Sequence, residues 1–403
     1  MKNYCELCGN KNLTKVLDLG SNPLCDDLIA IGSNKKNILY KIVIMLCKKC
    51  LTAHQKHQVK KKILFPKKYH YRARFTDDVL KGMKNLVNET EKIFGNLKNK
   101  TVLDIGCNDG SLLNFFNAKG CKTIGVEPTN ACIDANKKKH IIYNNYFDEH
   151  TAIKINFFFK KIDIITFTNV FAHIENFQSL IINLKKIITE KTVLVIENHY
   201  MGSVLRNKQF DTFYHEHPRT YSFRSFTYIA KMLNLDILKV DFPKRYGGNI
   251  RVVMGKSTNG KTKNYKNIFA LESKFLQSFK SIEKKIELWK KNKTRLIQSL
   301  VKKYGKIPAK AFPGRAAILI KILGLDERFI SAVYEKPNSM KIGHYVPGTK
   351  IPIKSDKLLI KKLKKEKIIL NLAWHISGEI KKYLKEKNFN GKIVDILHKN
   401  DFR

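Results

Sequence analysis

Acidic residues are scarce in this sequence. Only 34 of its 403 residues are Asp or Glu, against 77 Lys and Arg, so the formal net charge is +43. Long apolar runs are also missing. No stretch of about 20 residues is free of charges, which excludes a membrane-spanning helix. No apolar segment follows Met1-Lys2-Asn3-Tyr4-Cys5, so a secretory leader is not expected and the cytoplasm is the expected location. Hydrophobic residues make up 43% and aromatics 10%, which suffices for packed cores and excludes a wholly disordered basic tail. The length allows about two to four domains. The positive balance suits a nucleic-acid or membrane partner. The lysines are nevertheless scattered, as at 60–62, 137–139, 284–285 and 361–362, and such scatter reads as compositional bias.

Four of the eight cysteines form two pairs of equal spacing, Cys5-x-x-Cys8 and Cys47-x-x-Cys50. Cys25, Cys107, Cys121 and Cys132 have no such spacing. A two-residue gap lets both thiolates of a tight turn face one metal, and two such turns complete a tetrahedral zinc site. In a reducing compartment a disulfide is the weaker alternative. Four thiolates leave no open position, so this zinc is expected to hold a fold and do no chemistry.

The middle of the chain alternates. Apolar residues Leu80, Met83, Val87, Ile93 and Phe94 predict a helix over 77–94, stopped by Gly95. Apolar strands are predicted at 101–105, 123–126, 162–167 and 192–196, with a helix over 111–119. A closing pair at 236–240 and 249–253 flanks Gly247-Gly248 and reads as antiparallel. The implied fold class is α/β, a mostly parallel doubly wound sheet.

No G-x-G-x-x-G fingerprint is present. The first strand runs instead into Gly106-Cys107-Asn108-Asp109-Gly110. The two glycines let the backbone turn tightly and pass close to a ligand. Glu127 ends the second strand, where a carboxylate accepts bonds from ribose hydroxyls. Asp109 inside the loop would repel a pyrophosphate but suits the cationic amino-acid end of S-adenosylmethionine, and Asp104 strengthens that reading. The plainer alternative is a strand-to-helix turn with no ligand.

These stretches, with Asn169-Val170-Phe171-Ala172-His173, Glu197-Asn198, the run 210–217 ending in Tyr214-His215-Glu216-His217, Gly247-Gly248-Asn249-Ile250-Arg251 and the run 341–353, resemble the nucleotide-sugar C-methyltransferase family over nearly the whole chain. The resemblance implies a zinc-binding domain at 1–72, a class I methyltransferase domain at 73–256 and a C-terminal Rossmann-like domain at 257–403. It implies S-adenosylmethionine as cofactor, with contacts at Asp104, Gly106, Asn108, Asp109, Gly110, Glu127 and Asn169, and structural zinc on Cys5, Cys8, Cys47 and Cys50. It also implies a nucleotide-linked 4-keto-deoxysugar as substrate. His217 is then the base, with Tyr214, Glu216, His173 and Tyr71 as further active-site groups. The chemistry is consistent, because making a carbon nucleophile needs a base for a proton beside a carbonyl and a donor for the enolate oxygen. A strand-like run would put His215 and His217 on one side and Tyr214 and Glu216 on the other. An ordinary polar loop is the bland alternative.

Three departures stand out. Arg72-Ala73-Arg74-Phe75-Thr76 replaces a Ser/Thr-rich stretch of the family. Phe312-Pro313-Gly314-Arg315 replaces a Gly-rich turn, which points to altered nucleotide binding. A strand ends in Glu335 where the family has Asp, and Trp374-His375 stands for Trp-Asn. A Lys-rich stretch over 267–304 carries an apolar stripe, Ile268, Leu271, Phe275, Phe279, Ile282, Ile286 and Leu288, expected to dock on the chain's own domains. Other readings are O-methylation of a related carbohydrate, nucleic-acid methylation, and a non-catalytic zinc-containing scaffold. Nucleic acid is disfavoured, because Thr168-Asn169-Val170-Phe171 lacks the Asn/Asp-Pro-Pro-aromatic run of base amino-methylating enzymes. A monomer is expected.

Overall fold

A computed structural model describes residues 3–67, 69, 71–257 and 264–402. Most of the polar stretch 257–266 lies outside the described residues. The chain forms two compact units that are not consecutive in sequence. One holds 1–14, 45–204 and 216–275, the other 15–44, 205–215 and 276–403.

The first unit is built on a seven-stranded sheet. Its strands are β1 Thr101–Ile105, β2 Lys122–Val126, β3 Ile141–Tyr143, β4 Ile164–Thr168, β5 Val193–His199, β6 Asp236–Asp241 and β7 Asn249–Gly255. β1, β2 and β4 are buried along nearly their whole length, as central parallel strands covered on both faces must be. The order is β6-β7-β5-β4-β1-β2-β3. β1 to β5 pair in parallel, and β6 and β7 form the antiparallel closing pair. The chain steps outward from β1 to β3 and returns to β4 on the other side of β1. That reversal leaves a crevice at the carboxyl ends of β1 and β4, where open α/β sheets bind ligands.

The helix Asp77–Phe94 covers one face of this sheet. Val79, Met83, Leu86 and Val87 are buried at helical spacing, against Val102, Phe116, Ile164, Val195 and Val253. Asp77 and Asp78 favour its amino end, and Gly95, at φ 82°, ends it. Leu86 is fully buried, so Leu86→Ala would cost about 2–5 kcal/mol.

The second unit carries its own parallel sheet of β8 Ile307–Lys310, β9 Ile330–Glu335, β10 Ile353–Ser355, β11 Ile368–Asn371 and β12 Lys392–Asp395, in the order β10-β9-β8-β11-β12. The Lys-rich stretch forms two helices, Lys266–Glu272 and Phe275–Tyr304. Phe279, Ile282, Ile286, Trp289 and Ile297 are buried. Leu271 and Leu288, assigned to the apolar stripe, are 57% and 40% exposed; Leu271 lies on the separate short helix, and in the long helix the buried positions 286 and 289 leave 288 facing outward. The run 341–353 places the short strand His344–Tyr345 against Ile29–Ala30, and the backbone N–H of Gly348 donates to Asn37. Part of that run therefore joins the early segment 15–44 to the C-terminal sheet's unit.

Candidate active site and zinc knuckles

The four paired cysteines converge. Their sulfurs lie within 4.8 Å of one another, and Cys5, Cys47 and Cys50 are fully buried. The Cys5–Cys50 and Cys8–Cys47 sulfur separations are 3.3 and 3.5 Å. A tetrahedron with zinc–sulfur bonds of about 2.3 Å has edges of about 3.8 Å, so the cluster fits zinc with little adjustment. Around it, His54 Nε2 lies 3.3 Å from the Cys5 sulfur and the Thr52 hydroxyl 3.1 Å from the Cys50 sulfur. Such outer partners fix the orientation of metal ligands.

The loop after β1 needs unusual backbone. Gly106, Asn108 and Gly110 have φ of 76°, 50° and 74°. A Cβ on Gly106 would lie 2.5 Å from the Val170 side chain, so only glycine lets the β1 and β4 turns approach this closely. The backbone N–H of Asn108 donates to Glu127 at 3.0 Å, and Thr129 donates to the other Glu127 oxygen through its N–H and hydroxyl. A carboxylate has about four acceptor positions, so one stays open to a ribose hydroxyl. Asp104 is 3% exposed and accepts from the Thr166 hydroxyl at 2.7 Å. Burial pushes its carboxyl up to about 7, against that hydrogen bond, and the charge of Glu127 adds to the rise. Asp109 is fully buried, and its carboxylate accepts from Ser111 and from the Arg74 backbone N–H. It therefore braces the start of the helix Ser111–Asn117. The acidic lining suits a cationic sulfonium cofactor better than a pyrophosphate.

Residues 71–74 lie across this loop. The Asn108 side chain accepts from the Ala73 N–H and donates to the Tyr71 carbonyl. Arg72, buried, bonds Asp134, Asn130 and the carbonyls of Tyr69 and Tyr71. Tyr71 itself is 37% exposed. The Arg72–Thr76 departure thus replaces hydroxyls with an arginine clamp.

Beyond the carboxyl ends of β4 and β5, three imidazoles meet. The ring of His217 lies 5.0 Å from that of His173 and 5.2 Å from that of His199. Burial and the facing charge of His217 hold His173 well below the ordinary histidine range, and Phe65 stacks on His173 at 5.2 Å. His199 accompanies the cluster although no motif marks it. Its signal is position, the last residue of a parallel strand, aligned opposite Asn249. Tyr69 donates to Glu216 at 3.4 Å. The run 214–217 is a turn and not strand-like, so His215 and His217 share no face. His215 bonds the Tyr40 carbonyl, and burial lowers its pKa. Tyr214 is half-buried and belongs with His215 to the second unit.

Beneath the cluster, Glu197 is fully buried between two arginines. Arg245 Nε donates at 2.5 Å and Arg251 Nε at 2.7 Å, and Asn249 adds a third bond. Burial opposes its ionisation, but the two guanidinium charges outweigh it and its pKa is lowered. Asn249 also donates to Asn169, which sits at φ 55° after β4. Asn169 is thereby placed beside the crevice.

The strand order, the glycine-bounded loop after β1 and the acid at the end of β2 define a class I methyltransferase domain. Family comparisons agree along the chain. The model of a zinc binding domain matches residues 5–65, that of a methyltransferase domain 74–240, and that of a C-methyltransferase C-terminal domain 244–396. The C-methyltransferase NovU of Streptomyces niveus is 24% identical over 250 residues, which cover 62% of this chain and 59% of that relative. The matched region thus spans less than two thirds of the relative's length. Among solved structures, magnesium protoporphyrin IX methyltransferase (ChlM) of Synechocystis PCC 6803 with bound SAH aligns at a TM-score of 0.35 and 14% identity, over 45% of this chain and 84% of that one. A SAM dependent methyltransferase of Archaeoglobus fulgidus aligns at 0.33 and 17%, over 48% and 87%. Among the described residues no helix is long and apolar enough to cross a membrane.

Proposed function

We propose that the chain is an S-adenosylmethionine-dependent C-methyltransferase acting on a nucleotide-linked 4-keto-deoxysugar. The observation that carries this reading is the contact of the buried His217 with the half-buried rings of His173 and His199 at the carboxyl ends of the sheet. Burial and the facing His217 ring hold His173 well below the ordinary histidine range, which favours its neutral form. His217 removes the proton from the carbon beside the keto group. Neutral His173 offers a hydrogen bond for the enolate oxygen, and Glu216 with Tyr69 holds a sugar hydroxyl. The bound cofactor supplies an activated methyl group. Gly106, Asn108, Gly110 and Glu127 hold it, with Asp104, Asp109 and Asn169 shaping the walls and Tyr71 closing over the loop. The chain's main task is positioning.

The division at 1–72, 73–256 and 257–403 belongs to the same proposal; the three matched models follow one another in that order, at 5–65, 74–240 and 244–396. A cytoplasmic location, a monomeric state and a small-molecule substrate in place of nucleic acid are parts of the same proposal. The test is incubation with labelled cofactor and a panel of nucleotide-linked 4-keto sugars, with product analysis by mass spectrometry and NMR. The expected product carries a new carbon-bound methyl group, and His217→Ala binds cofactor but neither transfers methyl nor exchanges the α-proton with deuterium oxide. A methyl found on oxygen, or turnover surviving in His217→Ala, would overturn the reading.

A further inference from the structure

The residues just after His217 are bonded to both zinc knuckles. Arg219 is fully buried and donates to Glu6, inside the Cys5-x-x-Cys8 knuckle, at 2.6 Å. It also lies opposite His54 in the strand pairing of Arg219–Thr220 with Ala53–Gln55. His54 in turn reaches Glu6 at 3.7 Å and the Cys5 sulfur at 3.3 Å. Farther along, the Ser222 and Ser225 hydroxyls donate to the carbonyl of Cys50 in the second knuckle, and Thr52 donates to Ser225. Tyr221 receives a bond from Arg219 and donates to the carbonyl of Phe171, two residues before His173. Both imidazole-bearing turns are thereby tied to the zinc knuckles.

We propose that Arg219 and Glu6 are positioning residues, through which the zinc knuckles set the place of the His217 base against His173. The inference rests on the reading of His217 as base. Its physical basis is stiffness. A turn held only by its ends leaves a side chain free to move by an ångström or more, and that much misplacement costs about a hundredfold in rate. Here the turn is fixed from its C-terminal side by a buried ion pair and by paired backbone. Because the anchor is the metal cluster, loss of zinc loosens the base before it unfolds the sheet that binds cofactor. A purely structural zinc would instead affect stability and cofactor binding together.

The test uses the full chain and four readouts: zinc content, cofactor affinity, substrate-proton exchange in deuterium oxide, and kcat against KM. Glu6→Gln and Arg219→Gln are each expected to keep bound zinc and to keep cofactor affinity within about threefold, while proton exchange and kcat fall together by about tenfold or more. The double variant leaves no unpaired charge at this buried site and is expected to recover part of both. Chelation is expected to abolish proton exchange with cofactor binding retained, and added zinc to restore it. The proposal is overturned if the single variants keep wild-type proton exchange, if their loss lies in KM alone, or if the chelated protein exchanges at the normal rate. Failure of the base reading is seen separately, as proton exchange that survives His217→Ala.

Discussion

Asp104→Asn gives a measurable handle on the cofactor crevice. In the free protein the Asp104 carboxyl titrates at about 7 instead of near 3.8, chiefly because it is buried. A folded-state pKa above the unfolded value means that the native state holds the proton more tightly. Its stabilising share is therefore full below about pH 4 and is lost as pH rises through about 7. At about 1.4 kcal/mol per pH step, the whole loss is about 4 kcal/mol, of which roughly 2–3 kcal/mol falls between about pH 5 and pH 8. The amide of the variant does not titrate, so urea unfolding of wild type and variant should diverge by that amount over this range. A sulfonium cofactor favours the ionised form, so its affinity for wild type should rise about tenfold from about pH 6 to pH 8, with proton release visible in buffers of different ionisation enthalpy. The variant should show neither effect. Parallel stability curves for the two proteins would refute the assignment of a buried, protonated Asp104.

Two further outcomes follow from the same unit. Glu197→Gln leaves Arg245 and Arg251 buried beside a neutral amide and should cost about 3–5 kcal/mol in chemical denaturation, whereas a loss under about 1 kcal/mol would show that the arginines find other partners. Gly106→Ala meets Val170 and a left-handed φ together, so cofactor affinity measured by calorimetry should fall at least tenfold. Adding Val170→Ala removes the clash but not the backbone strain, and should restore only part of the loss. Full restoration would assign the whole effect to the clash.

Much of this architecture was legible because local pattern and tertiary role coincide. The helix Asp77–Phe94 and β1 show their periods plainly, since each buries one continuous apolar surface. The zinc cluster was legible from spacing alone. His199 was harder, because the apolar run of β5 stops at Ile196 while the strand continues three residues further on backbone pairing with β7. The turn at 214–217 is disguised because alternating side chains imitate a strand, and only the bonds of His215 to Tyr40 and of Tyr69 to Glu216 reveal the bend. Trp289, preceded by Glu287 and Leu288 and followed by Lys290 and Lys291, hides the true register of the long helix. The role of Asp109 depends on Arg74, which is 35 residues away and follows no motif. Contacts of that kind are set by tertiary packing, beyond the reach of any local window.

The interleaving of the two compact units bears on how the chain can be made and cut. Their boundaries fall at 14/15, 44/45, 204/205, 215/216 and 275/276, so the polypeptide passes from one unit to the other five times. On a ribosome, the segment 15–44 emerges early yet waits for its pairing partner His344–Tyr345, more than 300 residues later. Such distant pairing slows folding, because long loops must close before their contacts form. A fragment beginning at 276 would lack both 15–44 and 205–215, and a fragment ending at 275 would carry them without their partners. Neither unit can be excised as one continuous piece, and a graft of the C-terminal third onto a relative must carry those two upstream segments with it.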